Sequence, residues 1–389
     1  MRQTEEVGLR EEDAVVVDVI RSPICRARKG RLVNERPDDV GGFVVNALMQ
    51  RNPACPREGV EDVIVGCGIP SGEQGFNLGR VLALTGQLGV SVPGTTVSRY
   101  CASSLQSIRM AAHAIWSGEG DMFLAAGVEF VSRYPAADHR NTRFLQDGTP
   151  AIYISMGLTA ENVADAYSVT REDQDVYAKR SQDLTHQSQE DGFWAHEIIP
   201  VPLMDGTVMA EDDSPRPYTT LEGLSTLKPA FREDGTVTAG NSCPLNDGAA
   251  AALILSARRA HELGVRPRAR IVATAVSALD PALMGVAPID ALRQVLKRAG
   301  MTLQDIDIVE LNEAFAAQVL AVQREVGIPF EKLNPHGGSI AIGHPYGMTG
   351  VLILATLLNG LETDDGEVGL ETMCVGGGQG MALIVERLT

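Results

Sequence analysis

With 389 residues, 44% of them hydrophobic and only 5% aromatic, the chain is long enough for two or three packed units with aliphatic cores. A formal net charge of −17 argues against nucleic acid and anionic membranes as partners, because both demand an excess of Lys and Arg. Its forty glycines and twenty prolines follow no tripeptide period and indicate many tight turns rather than low complexity.

Residues 1 to 12 are polar and charged and read as a disordered extension rather than a targeting peptide. Ala14 to Val19 is a short apolar run suited to a buried strand, closed by the break Arg21-Ser22-Pro23. Val40, Phe43, Val44 and Leu48 fit one face of a helix over 38–49, and Asp62 to Gly66 reads as a second buried strand. Asn77 to Thr85 is a further helix. Gly94 to Val97 is extended, a helix carrying Leu105, Ile108, Ala112 and Ile115 on one face follows, and Asp121 to Gly127 is again a strand. Strand alternating with helix predicts an α/β architecture, a sheet covered by helices on both faces.

Between residues 134 and 246 this rhythm fails, and one helical piece stands out over 159–189. Thr159 with Asn162, and Thr170 with Asp173, resemble helix-start caps. An excursion of this length in an α/β chain is expected to be an inserted functional loop domain. The rhythm then returns, with strands over 250–255, 270–277, 305–310, 368–373 and 381–385, and helices over 257–264, 288–299, one starting near Asn312, and 349–358. Cys101, helix and strand in the first part parallel His344, helix and strand in the last. Two α/β halves of similar plan are therefore expected to face each other: residues 1–133 with 247–267, and residues 268–389, with 134–246 as the insert. The run Val351 to Leu358 is far too short to span a bilayer.

The six cysteines, Cys25, Cys55, Cys67, Cys101, Cys243 and Cys374, form no C-x-x-C pair and follow no secretory leader. They read as reduced thiols of a cytoplasmic protein, and the C-terminal residues carry no peroxisomal address. Four short stretches place reactive side chains on apolar or glycine-rich backgrounds: Tyr100-Cys101-Ala102-Ser103, Asn312-Glu313-Ala314-Phe315, Gly343-His344-Pro345, and Cys374 running into Gly376-Gly377-Gly378. Each is expected at or just after a strand end, where α/β sheets bind ligands. Cys101 should sit at a helix N-terminus, where free N–H groups and the helix dipole ease thiolate formation. The alternative for Cys101 and Cys374 alike is a buried thiol acting as a small hydrophobe. His344, between glycine and proline, can be held at a fixed angle or can be an ordinary loop residue.

Together the four stretches closely resemble the thiolase family, in order and in context. The resemblance extends from Val16-Val17-Asp18-Val19-Ile20-Arg21-Ser22-Pro23 through Met156-Gly157-Leu158-Thr159 and Gly235-Thr236-Val237-Thr238-Ala239-Gly240-Asn241 to the glycine-rich end. It implies the thiolase-like fold, two similar βαβ-type α/β domains with mixed sheets and an inserted loop domain that receives coenzyme A, and a homodimer or homotetramer, with association with other fatty-acid oxidation enzymes a further expectation. It also implies an acyltransferase that cleaves 3-ketoacyl-CoA with coenzyme A as co-substrate and with no tightly bound cofactor or metal. The alternatives are an acetoacetyl-CoA-forming biosynthetic thiolase, a decarboxylating ketosynthase of the same fold, and a non-catalytic lipid carrier.

By this resemblance Cys101 matches the nucleophile, His344 its activating base, Cys374 the second acid/base cysteine and Asn312 the residue that holds a water. The N–H groups of Cys101 and Gly376 match the oxyanion donors. Arg216, Ala239, Cys243, Ala314, Phe315 and Met156 match positions near coenzyme A, and Lys228 and Arg232 add local positive charge. Cys243 stands where many relatives carry serine, and Ala102 and Ser104 replace glycines that often flank the nucleophile. Ser155, where acetoacetyl-specific members have histidine, and Pro215 to Glu222 with Leu227 to Phe231 resemble the degradative branch.

Overall fold

The computed structural model describes residues 8–134 and 140–388. The strands and helices are, in chain order, β1 (Ala14–Arg21), β2 (Cys25–Arg26), α1 (Pro37–Arg51), β3 (Asp62–Gly66), α2 (Leu78–Thr85), β4 (Gly94–Val97), α3 (Ser103–Trp116) and β5 (Met122–Phe130). The middle of the chain holds α4 (Met156–Ala166), α5 (Arg171–Glu190), β6 (Val201–Pro202), β7 (Val208–Met209) and α6 (Leu221–Ser225). Then follow β8 (Asn246–Ser256), α7 (Ala257–Leu263), β9 (Ala269–Ala278), α8 (Pro288–Ala299), β10 (Ile308–Leu311), α9 (Ala316–Val326), α10 (Ser339–Ile342), α11 (Thr349–Thr363), β11 (Val368–Val375) and β12 (Gln379–Arg387).

Strand pairing makes the duplication explicit. The order along the main sheet is β10-β11-β12-β9-β1-β8-β5-β3-β4, and its two halves are joined by a short β1–β9 ladder, Val15 opposite Arg270 and Val16 opposite Ala269. In the first half β1–β8 and β8–β5 are antiparallel, while β5–β3 and β3–β4 are parallel. The second half repeats this with β9–β12 and β12–β11 antiparallel and β11–β10 parallel. A single parallel bridge, Val309 to Leu333, takes the place of a strand equivalent to β4.

The packing is layered because the strands are apolar on both faces. Helices α3 and α11 lie between the two half-sheets in one core, where Leu105, Ile108, Val351 and Leu354 meet Ile254, Phe123, Met373 and Leu383. Residues of α1 and α2 cover the outer face of the first half, and those of α8 and α9 that of the second. The central helices touch at Gly350, where an added Cβ would come within 2.2 Å of the Leu105 backbone nitrogen. Only glycine permits that approach, and it brings the starts of α3 and α11, with Cys101 and His344 just ahead of them, side by side.

Several local expectations need correction. The helical piece expected over 159–189 is two helices, α4 and α5, separated by a turn. Thr170 and Asp173 form the capping box at α5, but Thr159 lies inside α4, its hydroxyl donating to the Met156 carbonyl at 2.6 Å. The helix after β10 starts at Ala316 rather than Asn312, which leaves Asn312 to Phe315 as the connecting segment. Of the disordered extension expected over residues 1–12, residues 1–7 lie outside the described residues. Arg10 is fixed to Asp13 by three hydrogen bonds, and the Glu11 carbonyl accepts from Arg258 N–H.

Candidate active site

Cys101 lies in the turn Tyr100–Ala102 that joins β4 to α3, and it is 8% exposed. The backbone N–H groups of Gly376 and of Cys101 itself lie near enough to its sulfur to favour the thiolate. Two backbone N–H groups beside one sulfur favour negative charge there. Burial nevertheless dominates: it pushes the thiol up to about 12, against those two amides, with the buried Glu129 adding to the rise. The expectation of an easily formed thiolate is thus corrected for the resting protein, because dehydration costs the anion more than the helix start returns.

His344 departs from its expected place too. It follows α10 rather than a strand, because the second half replaces the β4 equivalent with the Leu333 bridge and runs on through a loop. Gly343 turns the chain there with φ +112°, and the His344 N–H donates to Asn246 Oδ1 at 3.0 Å. The imidazole is 1% exposed, and burial holds its pKa down to about 3, so the ring is neutral. Its tautomer follows from its partners. The Thr349 hydroxyl donates its one proton to the Pro345 carbonyl at 2.9 Å, so it accepts from His344 Nδ1–H at 2.7 Å. Nε2 then carries the lone pair and faces Asn312 Nδ2 at 3.3 Å. The Asn312 amide is held in turn by Ser339, whose hydroxyl donates to Oδ1 at 2.7 Å. A neutral ring with a fixed lone pair is suited to accept a proton.

Cys374 ends β11 with no exposure, and burial, with Cys101 and Cys243 nearby, drives its thiol well above its ordinary value. It shares a small apolar cluster with Ala160, Ala314 and Phe315, against which Met156 and Cys243 pack. Four of the residues matched to coenzyme A positions therefore converge on the second cysteine. The Cys243 N–H donates to the Ala314 carbonyl at 3.1 Å, which ties the insert to the Asn312 segment. The Met156 sulfur and the Tyr100 ring flank Gly376 at 3.8 Å and 3.5 Å from where a Cβ would stand.

The basic residues divide. Arg232 is spent on Asp165, Asp234 and Glu161, which corrects its reading as a phosphate contact. Arg216 and Lys228 are exposed, and their side chains have no hydrogen-bond or ion-pair partner among the described residues. Ala239 is exposed as well, two residues beyond the buried Val237 of the cluster. Ser104 points away from the nucleophile, accepting from Val351 N–H at 3.1 Å at the start of α11.

Sequence reasoning missed three supports. Glu129, fully buried at the end of β5, accepts from the N–H groups of Gly68 and Gly347 at 2.6 and 2.7 Å and from Tyr134 OH at 2.8 Å, binding the loop after β3 and the one after His344 into one unit. A lone carboxylate in the apolar strand Met122–Phe130 was its only sequence signal. Thr349 and Ser339, which orient His344 and Asn312, had none. Phe231 lies flat on Gly157, where a Cβ would stand 2.1 Å from its ring, and meets Phe315 edge-on with centroids 6.1 Å apart.

Comparison with known proteins gives this site its context. The thiolase N-terminal domain matches residues 14–258 and the thiolase C-terminal domain residues 265–387. The chain belongs to the thiolase family. It is 43% identical over 399 aligned residues to the beta-ketoadipyl-CoA thiolase of Acinetobacter baylyi, covering 96% of this chain and 99% of that protein. It is 42% identical to the 3-ketoacyl-CoA thiolase of Bacillus subtilis over 390 residues, with 96% and 99% covered. Human mitochondrial 3-ketoacyl-CoA thiolase in complex with CoA superposes on this thiolase with a TM-score of 0.90 at 35% identity, covering 97% of this chain and 98% of that one. Among the described residues no group of His, Cys, Asp and Glu could hold a metal ion, and no helix is long and apolar enough to cross a membrane.

Proposed function

We propose that this thiolase cleaves a 3-ketoacyl-CoA with coenzyme A, giving acetyl-CoA and an acyl-CoA shortened by that unit, through an acyl-enzyme on Cys101. One observation carries the reading: the Cys101 sulfur lies beside two backbone N–H groups, in the same site as a neutral His344 with its lone pair on Nε2 and a second cysteine. His344 Nε2 takes the Cys101 proton as sulfur attacks the keto carbon, so no free thiolate has to persist in a buried site. The N–H groups of Cys101 and Gly376 hold the resulting oxyanion. The bond between the keto carbon and its neighbour breaks, and its electron pair enters an acetyl-CoA enolate held by the His344 imidazolium and an Asn312-bound water. Cys374 gives its proton to the enolate carbon. Incoming coenzyme A returns a proton to Cys374 and attacks the thioester; Cys101 leaves and recovers its proton from His344.

The insert supports binding of the pantetheine arm through Met156, Phe231 and Phe315, with Arg216 and Lys228 as free cations for phosphates. The protein is read as a cytoplasmic homodimer or homotetramer. Strand β4 supports this, since it is the open edge of the sheet and its residues are only half-buried. The deciding experiment is to incubate the protein with acyl-CoA and map the adduct by mass spectrometry. An acyl group on Cys101 is expected. An adduct on Cys374 or Cys243 with Cys101 free overturns the assignment. Unbranched 3-ketoacyl-CoA and 3-ketoadipyl-CoA of equal length, assayed side by side, decide between the substrates named for the two relatives.

A further inference from the structure

Two buried carboxyl groups lie behind the active site and take no part in the chemistry above. Strands β10 and β11 run parallel with Glu310 opposite Glu371. Both belong to the face that carries Ile308 and Met373 into the central core beneath α11, while Val309, Leu311 and Leu370 point to the outer layer. Glu371 is fully buried and neither of its carboxyl oxygens has a hydrogen-bond partner; Glu310 is 4% exposed, with Oε1 unpartnered. Burial raises both carboxyl groups well above their ordinary value. Glu313 and Glu197 add to the rise at Glu310, and Arg180, whose Nη2 donates to the carbonyls of Phe330 and Leu333 and whose Nη1 has no hydrogen-bond partner, offsets only part of it. Two such groups on neighbouring positions of one sheet face retain at least one proton between them.

Glu310 also lines a small cavity of about 10 Å³, room for a single water, whose other polar walls include Asn312, Ser339, Asn334 and Thr356. Asn312 lines that cavity and His344 does not. We propose that Glu310 is a positioning residue: paired with Glu371, its carboxyl group holds one internal water in this cavity and through it fixes the Ser339–Asn312 unit against His344. The water has the two to four polar partners such a site requires, and Ser339 Oγ keeps lone pairs free to receive it while donating to Asn312. Glu310 thus acts on the enolate side of the reaction and not on the acyl side, where the N–H groups of Cys101 and Gly376 serve.

The inference rests on the thiolase reading, and its test separates the two. Cleavage of a 3-ketoacyl-CoA and exchange of acetyl between acetyl-CoA and a coenzyme A analogue are measured in the wild type, Glu310→Leu, Glu310→Gln and Ser339→Ala. Glu310→Leu is expected to lower kcat for cleavage about tenfold with KM and exchange within about twofold, and Glu310→Gln, which keeps a neutral polar group, to restore it to within about threefold. Ser339→Ala leaves the carboxyl pair intact, cuts the same link, and should show the same split if Glu310→Leu does not fold. Equal loss of exchange and cleavage in Ser339→Ala, or a Glu310→Gln protein as impaired as Glu310→Leu, overturns the proposal. Infrared difference spectra of Glu310→Gln and Glu371→Gln against wild type should lose a neutral carboxyl band at pH 7, and its absence from the wild type also overturns the proposal. Absence of both activities in the wild type would instead refute the thiolase reading, whatever the infrared result.

Discussion

Thr349→Val probes the tautomer of His344 with little change of shape. Thr349 is fully buried and accepts from His344 Nδ1–H at 2.7 Å. Valine removes that acceptor, and a buried donor left without a partner costs about 1–3 kcal/mol. The ring can avoid the cost by moving its proton to Nε2, but it then has no lone pair where the Cys101 proton must go. The lost preference translates into a fall of about 5- to 150-fold in the rate of Cys101 acylation, at about 1.4 kcal/mol per tenfold. Loss of the 2.9 Å bond to the Pro345 carbonyl should lower global stability by only about 1 kcal/mol. Thr349→Ser keeps the hydroxyl and should acylate near the wild-type rate. The assay is single-turnover acylation by acyl-CoA, quenched and read by mass spectrometry on the folded variants. A folded Thr349→Val protein that acylates within about twofold of wild type would refute the tautomer argument, since the barrier would then owe less than ~0.5 kcal/mol to this bond.

Cys374→Ala should stop cleavage and condensation, because both pass through the enolate, while acetyl exchange between Cys101 and coenzyme A continues; equal loss of exchange and cleavage would mean that Cys374 also activates Cys101. Ser155, exposed at the start of α4 beside Met156, leaves room for an acyl chain, so kcat/KM for a 3-ketoacyl-CoA of about six carbons or more should exceed that for acetoacetyl-CoA. A clear preference for acetoacetyl-CoA in a substrate panel would overturn that reading. Burial holds His344 near about 3 in the folded protein, below its ordinary 6.5. Between those values the unfolded chain binds a proton that the native site refuses, so stability falls as pH drops from 6.5 toward 3, by about 1.4 kcal/mol per unit at most. Urea titrations of wild type and His344→Gln from neutral pH to about pH 4.5 should show a shallower decline in the variant. Parallel curves would show that His344 is not held neutral.

Periodicity sufficed for the alternation of strands and helices, because apolar runs such as Ala14–Arg21 and Met122–Phe130 are buried on both faces and need no partner to be recognised. The start of α5 was readable for a similar local reason, since Thr170 and Asp173 satisfy each other's backbone within one turn. The reactive residues stood out because Cys101, Asn312, His344 and Cys374 interrupt glycine-rich or apolar contexts. Their convergence was decided elsewhere, by the close approach of α3 and α11 at Gly350 and by Glu129, which binds Gly347 across 218 residues of chain. Protonation was likewise a tertiary result. A helix start favours a thiolate, but the completed core removes water from Cys101 and His344 together, and dehydration outweighs the two amides that face the sulfur. Arg232 shows the same limit, for its sequence offers a free cation and only the fold brings Asp165 and Glu161 to it. Local pattern reports what a segment buries; which charge survives depends on the neighbours and the water that folding supplies or takes away.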